Sequence, residues 1–542
     1  MIDSRVPVPV PTNEPIKNYA PGSIERRSLE VVLNTQLQSE IEIPLRIGGR
    51  NVETGVLSDV RAPHDHSHVL GRYHNADATH AEQAIVAARE AWHDWSSTPW
   101  EARAAVFLKA AELLAGPYRD VVNAATMHGQ SKTVFQAEID AACELIDFFR
   151  FNVQYMQQIY AVQPESSPGI WNYQEYRPLE GFVFAVTPFN FTSIAANLPT
   201  APALMGNTVV WKPSERSMYS AHFIMELLEA AGLPPGVINM VTGETPKAVG
   251  DVLLNSPELA GIHFTGSTRT FQMMWRHVGA NIENYRSYPR VVGETGGKDF
   301  VFAHPSADTG GLSTALLRGA FEYQGQKCSA ASRAYIPASI WDETIERLTA
   351  DVAQIRMGSP MDFSNFMCAV IDQRAFASIS SYIELAKDSN DHEIIAGGGH
   401  DDSEGYFIEP TVIVASEPDS RLMIEEIFGP VLTLYKYEDD RLDETLALCD
   451  TATAYGLTGA IFCRDRAEIV RLSRRLRNAA GNFYINDKPT GAVVGQQPFG
   501  GGRASGTNDK AGSLWNLIRW ASPRSIKETF VPPTDFRYPH MD

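Results

Sequence analysis

The sequence predicts an α/β fold with two lobes, the first of them built on a parallel sheet. Between residues 181 and 267, short apolar runs alternate with helical stretches; the runs are "FVFAV", "NTVVW", "GVINMV" and "GIHF". This alternation is typical of βαβ units. A second alternating region begins near "YPRVVGETGG" and extends to about Gln497. The 542 residues, 44% of them hydrophobic, are enough for two or three domains.

The other elements follow in chain order. The N-terminal "VPVPVP" predicts an extended arm that covers the surface or a neighbouring subunit, although a frayed terminus fits the composition equally well. A helical layer extends from Thr79 to about Val153, and Thr79 with Glu82 forms a capping-box pattern at its start. We expect "GIWNYQEYRPLEG" to pair with the C-terminal tail as an extension that serves oligomer contacts.

Polar motifs follow three of the predicted strands: "TPFN", "KPSE" and "FTGS". Ligands of open parallel sheets bind beyond the carboxyl ends of the strands. The three motifs are therefore expected to line one crevice.

Charge and cysteine usage exclude several classes of protein. A net charge of -19 would repel a phosphate backbone, so nucleic acid is not an expected partner. Five scattered cysteines without a C-x-x-C pair indicate a reducing compartment. No signal core, presequence pattern or membrane-length apolar run occurs, which favours a cytoplasmic location. His64, His66 and His68 alternate along a strand, and a solvated strand face is favoured over a metal site.

Cys328 is a candidate nucleophile. In "FEYQGQKCSAASR" a helical run breaks at Gly325, and small residues follow the cysteine. Small neighbours leave room for a substrate to approach a reactive thiolate. An isolated cysteine is more often a small buried hydrophobe, so this stretch alone does not show that Cys328 is a nucleophile.

Five motifs that occur in order along the chain favour Cys328 as a nucleophile. They are "TPFNF" with Asn190, "WKPSE" with Lys212, "GETGGK" with Glu294, "QGQKCS" with Cys328, and "EEIFGP" with Glu426 and Phe428. Their identity, order and spacing resemble the aldehyde dehydrogenase superfamily. Longer stretches, among them "NEPIKNYAPGS" and "INDKPTGAVVGQQPFGG", resemble its pyrroline-5-carboxylate dehydrogenase branch, also called L-glutamate γ-semialdehyde dehydrogenase. Because the resemblance starts by about residue 10, it leaves no room for a cleaved presequence and favours a bacterial-type cytoplasmic protein.

The resemblance implies an aldehyde dehydrogenase-like fold with three parts. A Rossmann-type NAD-binding domain would comprise residues 1–158 and 181–290, including the arm. An α/β catalytic domain would comprise residues 291–497. A small β oligomerisation extension would comprise residues 159–180 and 513–542.

The resemblance also implies a mechanism. Cys328 would attack the aldehyde carbon, and the Asn190 amide with the Cys328 N–H would hold the oxyanion. Glu294 would activate the water that hydrolyses the thioester. Family members that transfer the acyl group to coenzyme A lack this glutamate, so a hydrolytic enzyme is expected.

For the cofactor, the resemblance implies NAD. Lys212 and Glu426 would bind its two riboses, Phe428 would lie beside the nicotinamide, and Thr187 would lie near its path; ordinary surface charge is the alternative for Lys212 or Glu426 alone. The start of a predicted helix would meet the pyrophosphate through Gly266, Ser267, Thr268, Arg269 and Thr270. Glu215 near the adenosine ribose would disfavour a 2′-phosphate.

For the substrate, the resemblance implies an anion clamp made by Ser329 and the N–H groups of Gly491 and Ala492. Phe191 and Phe499 would flank the aliphatic stem. Glu144 would face the ammonium group, with a helix-packing or solvated role as the alternative.

The expected activity is NAD-dependent oxidation of L-glutamate γ-semialdehyde to L-glutamate, the second step of proline catabolism. A general or succinic-semialdehyde dehydrogenase is the nearest alternative, and a catalytically retired structural or ligand-binding protein is the other. The expected partners are further copies of the chain, as a homodimer or a hexamer of three dimers, and transiently a proline dehydrogenase. No metal and no membrane are expected.

Overall fold

Two seven-stranded sheets organise the chain in a computed structural model that describes residues 6–243 and 246–541. In the first sheet five strands are parallel, and the last two are antiparallel to their neighbours. In spatial order its strands are Arg290–Glu294, Leu259–Thr265, Phe182–Val186, Thr208–Lys212, Ile238–Met240, Leu45–Ile47 and Arg50–Val52.

The second sheet is parallel except for one edge strand. In spatial order its strands are His392–Ala396, Thr411–Ala415, Val431–Tyr437, Ala331–Pro337, Asp299–Ala303, Thr458–Phe462 and Asn482–Ile485. Parallel sheets need crossover connections, and helices supply them here. The earliest strand of this sheet in the chain is Asp299–Ala303. The longer helices that follow it in the chain are Thr309–Phe321, Ala338–Val352, Gln373–Lys387, Leu442–Thr451 and Arg466–Arg475.

Helices also cover both faces of the first sheet. They are Ile24–Leu37, Ala78–Ser97, Trp100–Ala115, Arg119–Gln130, Glu144–Ala161, Thr192–Leu204, Met218–Ala231, Pro246–Asn255 and Thr268–Ala280. Side chains of "FVFAV" alternate between two cores: Val183 packs in one, and Phe182 and Phe184 pack in the other. This burial on both faces explains why the strands of this sheet are continuous apolar runs in the sequence.

Four smaller sheets complete the fold among the described residues; two of them are pairings of two-residue strands, and the other two are longer. One contains the strands Ile41–Ile43, Asp65–His74 and Leu57–Ala62. The other is a two-stranded ribbon in which Ile170–Pro178 pairs antiparallel with Ala521–Thr529. The predicted pairing of "GIWNYQEYRPLEG" with the C-terminal tail is thus confirmed.

Some sequence expectations were wrong in detail. The strand Arg290–Glu294 belongs to the first sheet, so the predicted boundary between residues 290 and 291 falls inside a strand. The helix Ala78–Ser97 is capped by Asp77 together with His80, not by Thr79 and Glu82. Asp77 lies one residue before the helix, where its carboxylate can accept the free N–H of the first turn.

The histidine pattern also differs from the expectation. His64 is buried and lies beside Ser131, with 3.4 Å between Nδ1 and Oγ, so it is not part of a solvated strand face. Within residues 6–243 and 246–541 no cluster of histidine, cysteine, aspartate and glutamate has the arrangement of a metal site. In the same residues, no helix has the length and apolar character that crossing a bilayer requires.

Candidate active site

The polar motifs lie at one edge of the first sheet, as the sequence predicts. The strands Phe182–Val186, Thr208–Lys212, Leu259–Thr265 and Arg290–Glu294 run parallel, so their carboxyl ends meet at that edge. Lys212 and Glu294 are the last residues of two of these strands, and Asn190 and Ser267 lie in the segments that follow the other two. This is the position at which open parallel sheets bind ligands.

The loop that carries Cys328 has an unusual backbone. After the helix Thr309–Phe321, Tyr323 and Gln324 take left-handed conformations with φ of 51° and 55°. Gly325 follows with φ of 64°, and a Cβ there would lie 2.2 Å from the carbonyl oxygen of Gly429. Only glycine permits this approach. The break in the helical pattern therefore brings the cysteine loop against the segment that carries Phe428.

The glycines of "GETGGK" pack against the same loop. A Cβ on Gly297 would lie 2.5 Å from the Cys328 carbonyl oxygen, and one on Gly296 would lie 2.2 Å from a Glu426 carboxylate oxygen. The Gly297 N–H also donates to Glu426, at 3.0 Å. These glycines thus bring the cysteine loop and Glu426 close to each other.

Asn190 points at the cysteine loop. Its side chain is buried, and its Nδ2 donates to the Gln326 carbonyl at 3.0 Å. That bond uses one of the two amide protons. The other is available for an oxyanion next to Cys328.

The nucleophile and the candidate base both have raised pKa values. Burial raises the pKa of the Cys328 thiol well above its ordinary value, and the carboxylates of Asp299, Glu426 and Glu294 raise it further. Burial likewise raises the pKa of Glu294 well above the ordinary carboxyl value. The Gly501 N–H, at 2.8 Å from Oε2, partly opposes that shift and fixes the carboxyl group. The site therefore needs a base to form the thiolate.

A cavity of about 380 Å³ joins the predicted catalytic and substrate residues. Its walls include Cys328, Glu294, Ser329, Gly491, Ala492, Phe191, Phe499 and Glu144. The predicted cofactor residues and Asn190 are not part of these walls. The structure thus places the expected substrate residues and Cys328 around one cavity.

One end of the cavity has the chemistry of an anion clamp. In the described part of the chain, the N–H groups of Gly491 and Ala492 donate to no other residue. The Lys488 ammonium group binds the Thr490 carbonyl at 3.2 Å, and in a trans peptide the following N–H points the opposite way. The Ser329 hydroxyl bonds to that of Thr490 at 2.8 Å.

Glu144 lies on another wall of the cavity. Its carboxyl group accepts a hydrogen bond from the Ser193 hydroxyl at 2.5 Å. Burial and then the charge of Asp140 raise the pKa of Glu144 to about 8. A cationic group that enters the cavity would favour the ionised form, which suits an ammonium ligand.

The groups expected to bind a dinucleotide lie along the crevice. Lys212 is buried, and its ammonium group contacts Glu215 at 3.0 Å. Burial raises the pKa of Glu426 to about 7. Because both groups are buried, they are not ordinary surface charges. Ribose hydroxyls would give both of them hydrogen-bond partners.

The helix Thr268–Ala280 begins at the predicted point. Ser267 caps it by accepting the N–H of Thr270. The Gly266 N–H donates to the Glu294 carbonyl at 3.3 Å, whereas the Ser267, Thr268 and Arg269 N–H groups have no partner among the described residues and can meet an anion. The Phe428 ring packs edge-on against Phe189, with 5.9 Å between ring centroids. Thr187 uses its hydroxyl to hold the Trp211 indole N–H at 2.9 Å. The crevice therefore offers the polar and aromatic groups that a dinucleotide requires.

Sequence reasoning missed several residues of the site. Lys488 and Thr490 lie within the motif "INDKPTGAVVG", so the motif itself could have indicated them. Lys327 and Asn13 also line the cavity. Asn13 begins the motif "NEPIKNYAPGS", but nothing in that motif indicates a contact about 480 residues away.

Comparisons with known proteins agree with this geometry. The sequence profile described as "Aldehyde dehydrogenase family" matches residues 52–526. The chain is 52% identical over 541 residues to the mitochondrial delta-1-pyrroline-5-carboxylate dehydrogenase of Dictyostelium discoideum, covering 99% of this chain and 97% of that one.

Solved structures give the same result. The NAD-bound Δ-pyrroline-5-carboxylate dehydrogenase of Mycobacterium tuberculosis superposes with a TM-score of 0.96 at 56% identity and covers 100% of both chains. The NAD-bound 1-pyrroline-5-carboxylate dehydrogenase from Thermus gives a TM-score of 0.90 at 33% identity, over 96% of this chain and 100% of the other.

Proposed function

The chain belongs to the aldehyde dehydrogenase family, and we propose that it oxidises L-glutamate γ-semialdehyde, the open-chain form of 1-pyrroline-5-carboxylate, to L-glutamate with NAD. The observation that carries the substrate assignment is the single cavity that joins Cys328 to the free N–H groups of Gly491 and Ala492. The cavity contains a thiol that can attack an aldehyde at one point and an anion clamp at another. A semialdehyde that bears an α-carboxylate has both matching groups.

The residues perform the reaction as follows. The Glu294 carboxylate takes the thiol proton of Cys328, and the sulfur adds to the aldehyde carbon to form a hemithioacetal. The free amide proton of Asn190 stabilises its oxyanion. When NAD is bound, it supplies the hydride acceptor for this family's chemistry.

Hydrolysis completes the reaction. Loss of hydride from the hemithioacetal carbon to the bound acceptor would leave a thioester on Cys328. Glu294, after releasing the thiol proton to solvent, would then remove a proton from the water that attacks the thioester carbon. The carbon–sulfur bond then breaks, the acid leaves, and the sulfur regains a proton. Buried Glu294 is a stronger base than an ordinary carboxylate, because the environment that raises its pKa also raises its proton affinity.

The cofactor site favours NAD over NADP. Lys212 is already neutralised by Glu215 at 3.0 Å, so a 2′-phosphate placed beside that carboxylate would meet a negative charge. Comparable kcat/KM with the two cofactors would contradict this preference.

We infer that the chain self-associates, as a homodimer or as a hexamer of three dimers. The ribbon of Ile170–Pro178 and Ala521–Thr529 supports this, since a two-stranded ribbon is marginally stable when isolated. The substrate must come from oxidation of a cyclic secondary amine followed by imine hydrolysis. A proline dehydrogenase is the expected supplier and a possible transient partner in solution.

The test is NADH formation with three substrates, namely pyrroline-5-carboxylate, succinic semialdehyde and a short aliphatic aldehyde. We expect a strong preference for pyrroline-5-carboxylate, and no activity in the Cys328→Ala variant. Preference for either of the other aldehydes would overturn the substrate assignment. NAD binding without turnover would instead support a retired ligand-binding protein.

A further inference from the structure

The N-terminal arm, residues 6–20, forms part of the cavity wall. Asn13, Glu14 and Ile16 of the arm line the cavity together with the loop of residues 491–497, which carries the anion clamp. The arm is thus in contact with the substrate site.

Asn13 fastens the clamp loop to a helix. Its Nδ2 donates to the Val494 carbonyl at 2.8 Å and to the Asp147 carboxylate at 2.8 Å. Its Oδ1 accepts the Gln496 side-chain amide at 2.9 Å. Both amide protons and the carbonyl oxygen are therefore in use. Two of these bonds reach the clamp loop, and the third reaches the helix Glu144–Ala161.

The arm itself is firmly anchored next to Asn13. The Glu14 N–H donates to the second oxygen of the Asp147 carboxylate at 2.7 Å. The Glu14 side chain forms ion pairs with buried Arg119 and with Arg150. Asn13 is consequently held in place by contacts that do not involve the clamp loop.

Apart from the bonds of Asn13, the clamp loop is held by buried Val494 and by the turn in which the Gln496 and Gln497 N–H groups donate to the Val493 carbonyl. Gly491, Gly495, Gln496 and Gln497 are exposed. The loop rests on the same helix at Gly495, where a Cβ would lie 2.2 Å from the ring of Phe151. The bonds of Asn13 are thus a main polar connection between the loop and the rest of the chain.

The same connection lies on the helix that carries Glu144. Asp147 lies three residues after Glu144, so the two side chains project from the same face of the helix. Asn13 therefore fixes the clamp for the carboxylate relative to the helix face that carries Glu144.

We propose that Asn13 is a positioning residue that sets the distance between the anion clamp and Glu144, and thereby selects substrates with an α-amino acid group. The proposal rests on the proposed function. Asn13 acts through the clamp loop and makes no contribution to the chemistry at Cys328.

The experiment compares Asn13→Ala with the unmodified enzyme on pyrroline-5-carboxylate and on a short aliphatic aldehyde, with NAD saturating. We expect KM for pyrroline-5-carboxylate to rise about tenfold, because the clamp loses its fixed position. We expect kcat to change by less than about twofold, and kcat/KM for the aliphatic aldehyde to change equally little.

Asn18→Ala is the matched control. Asn18 is on the same arm, and among the described residues its side chain accepts only the N–H of Ala20, at 3.0 Å. We expect it to leave both substrates unaffected.

Gln496→Ala is the second variant. It removes one of the two loop bonds from an exposed side chain, so it keeps the test possible if Asn13→Ala fails to fold. We expect a smaller rise in KM, and no further rise when it is combined with Asn13→Ala.

Three results would overturn the proposal. They are an unchanged KM in Asn13→Ala, an equal loss on both substrates, and an additive effect of Gln496→Ala. Failure of the proposed function would look different, since the unmodified enzyme would then show no preference for pyrroline-5-carboxylate.

Discussion

At the scale of single residues, Cys328 and Glu294 together determine the pH dependence of the reaction. Burial raises the pKa of both groups, and each acts in its deprotonated form. We therefore expect kcat/KM to rise with pH, with an acidic limb well above the ordinary carboxyl pKa of about 4.3. The measurement is kcat/KM for pyrroline-5-carboxylate from about pH 5 to about pH 9. A flat profile across this range would contradict the assigned protonation states.

Glu294→Gln separates the two roles of this residue. Glutamine keeps an oxygen for the Gly501 N–H but cannot accept a proton from water. We expect the steady-state rate to fall by about 10² to 10⁴. Stopped-flow measurement separates the roles: a burst of NADH before the slow phase places the loss at hydrolysis of the thioester, whereas a slow first turnover places it at removal of the thiol proton.

The control for this variant is Glu425→Gln. Glu425 precedes Glu426 but bonds to Tyr382 and Arg421 outside the cavity. Its rate should match that of the unmodified enzyme. An undiminished steady-state rate in Glu294→Gln would exclude Glu294 as the base for hydrolysis.

At the scale of elements, Glu138 joins the arm to the helical layer. It begins the π-helical segment Glu138–Cys143 and is fully buried. It accepts hydrogen bonds from the Lys17 N–H, the Tyr19 hydroxyl, and the side chains of Asn123 and Arg119. One carboxylate thus connects three separate segments of the chain.

We expect Glu138→Ala to lower the free energy of unfolding by about 3 to 5 kcal/mol, because it leaves the Arg119 charge buried without this partner. Burial by itself raises the pKa of Glu138, but the bonds from Arg119 outweigh it and hold the pKa below the ordinary value. This stabilisation is therefore present above the ordinary carboxyl range and is lost as the pH falls through the lowered pKa. Urea unfolding at neutral and acidic pH measures both effects.

Glu112→Ala is the surface control. Glu112 pairs with Arg150, but its side chain is 72% exposed, and exposed pairs contribute about 0 to 1 kcal/mol. A similar loss of stability in the two variants would show that the contribution of Glu138 to the free energy of unfolding does not depend on its burial.

The elements also show what sequence could and could not predict. The strands of the first sheet and the polar motifs after them were predictable, because burial on both faces gives continuous apolar runs. The sheet to which the strand Arg290–Glu294 belongs was not predictable, because the choice between two sheets depends on tertiary pairing. The contacts of Asn13 were equally hidden, because a single hydrogen-bonding side chain leaves no periodic signal.

At the scale of the whole molecule, the C-terminal tail exposes apolar side chains that a lone chain leaves in water. After the strand Ala521–Thr529, Val531 is 84% exposed and Phe536 is 85% exposed. Phe530 and Tyr538 of the same tail are exposed as well. Clustered exposed aromatic residues are typical of protein interfaces.

We expect removal of residues 530–542 to shift the protein to a smaller species in sedimentation velocity, because the apolar contacts between subunits are lost. The chain's own cores lie elsewhere, so the shortened protein should still fold and bind NAD. Val31→Ser is the control, since it changes an exposed apolar residue on the helix Ile24–Leu37, far along the chain from the ribbon. An unchanged sedimentation coefficient after truncation would mean that the tail does not mediate assembly. A smaller species in Val31→Ser would move the interface to that helix instead.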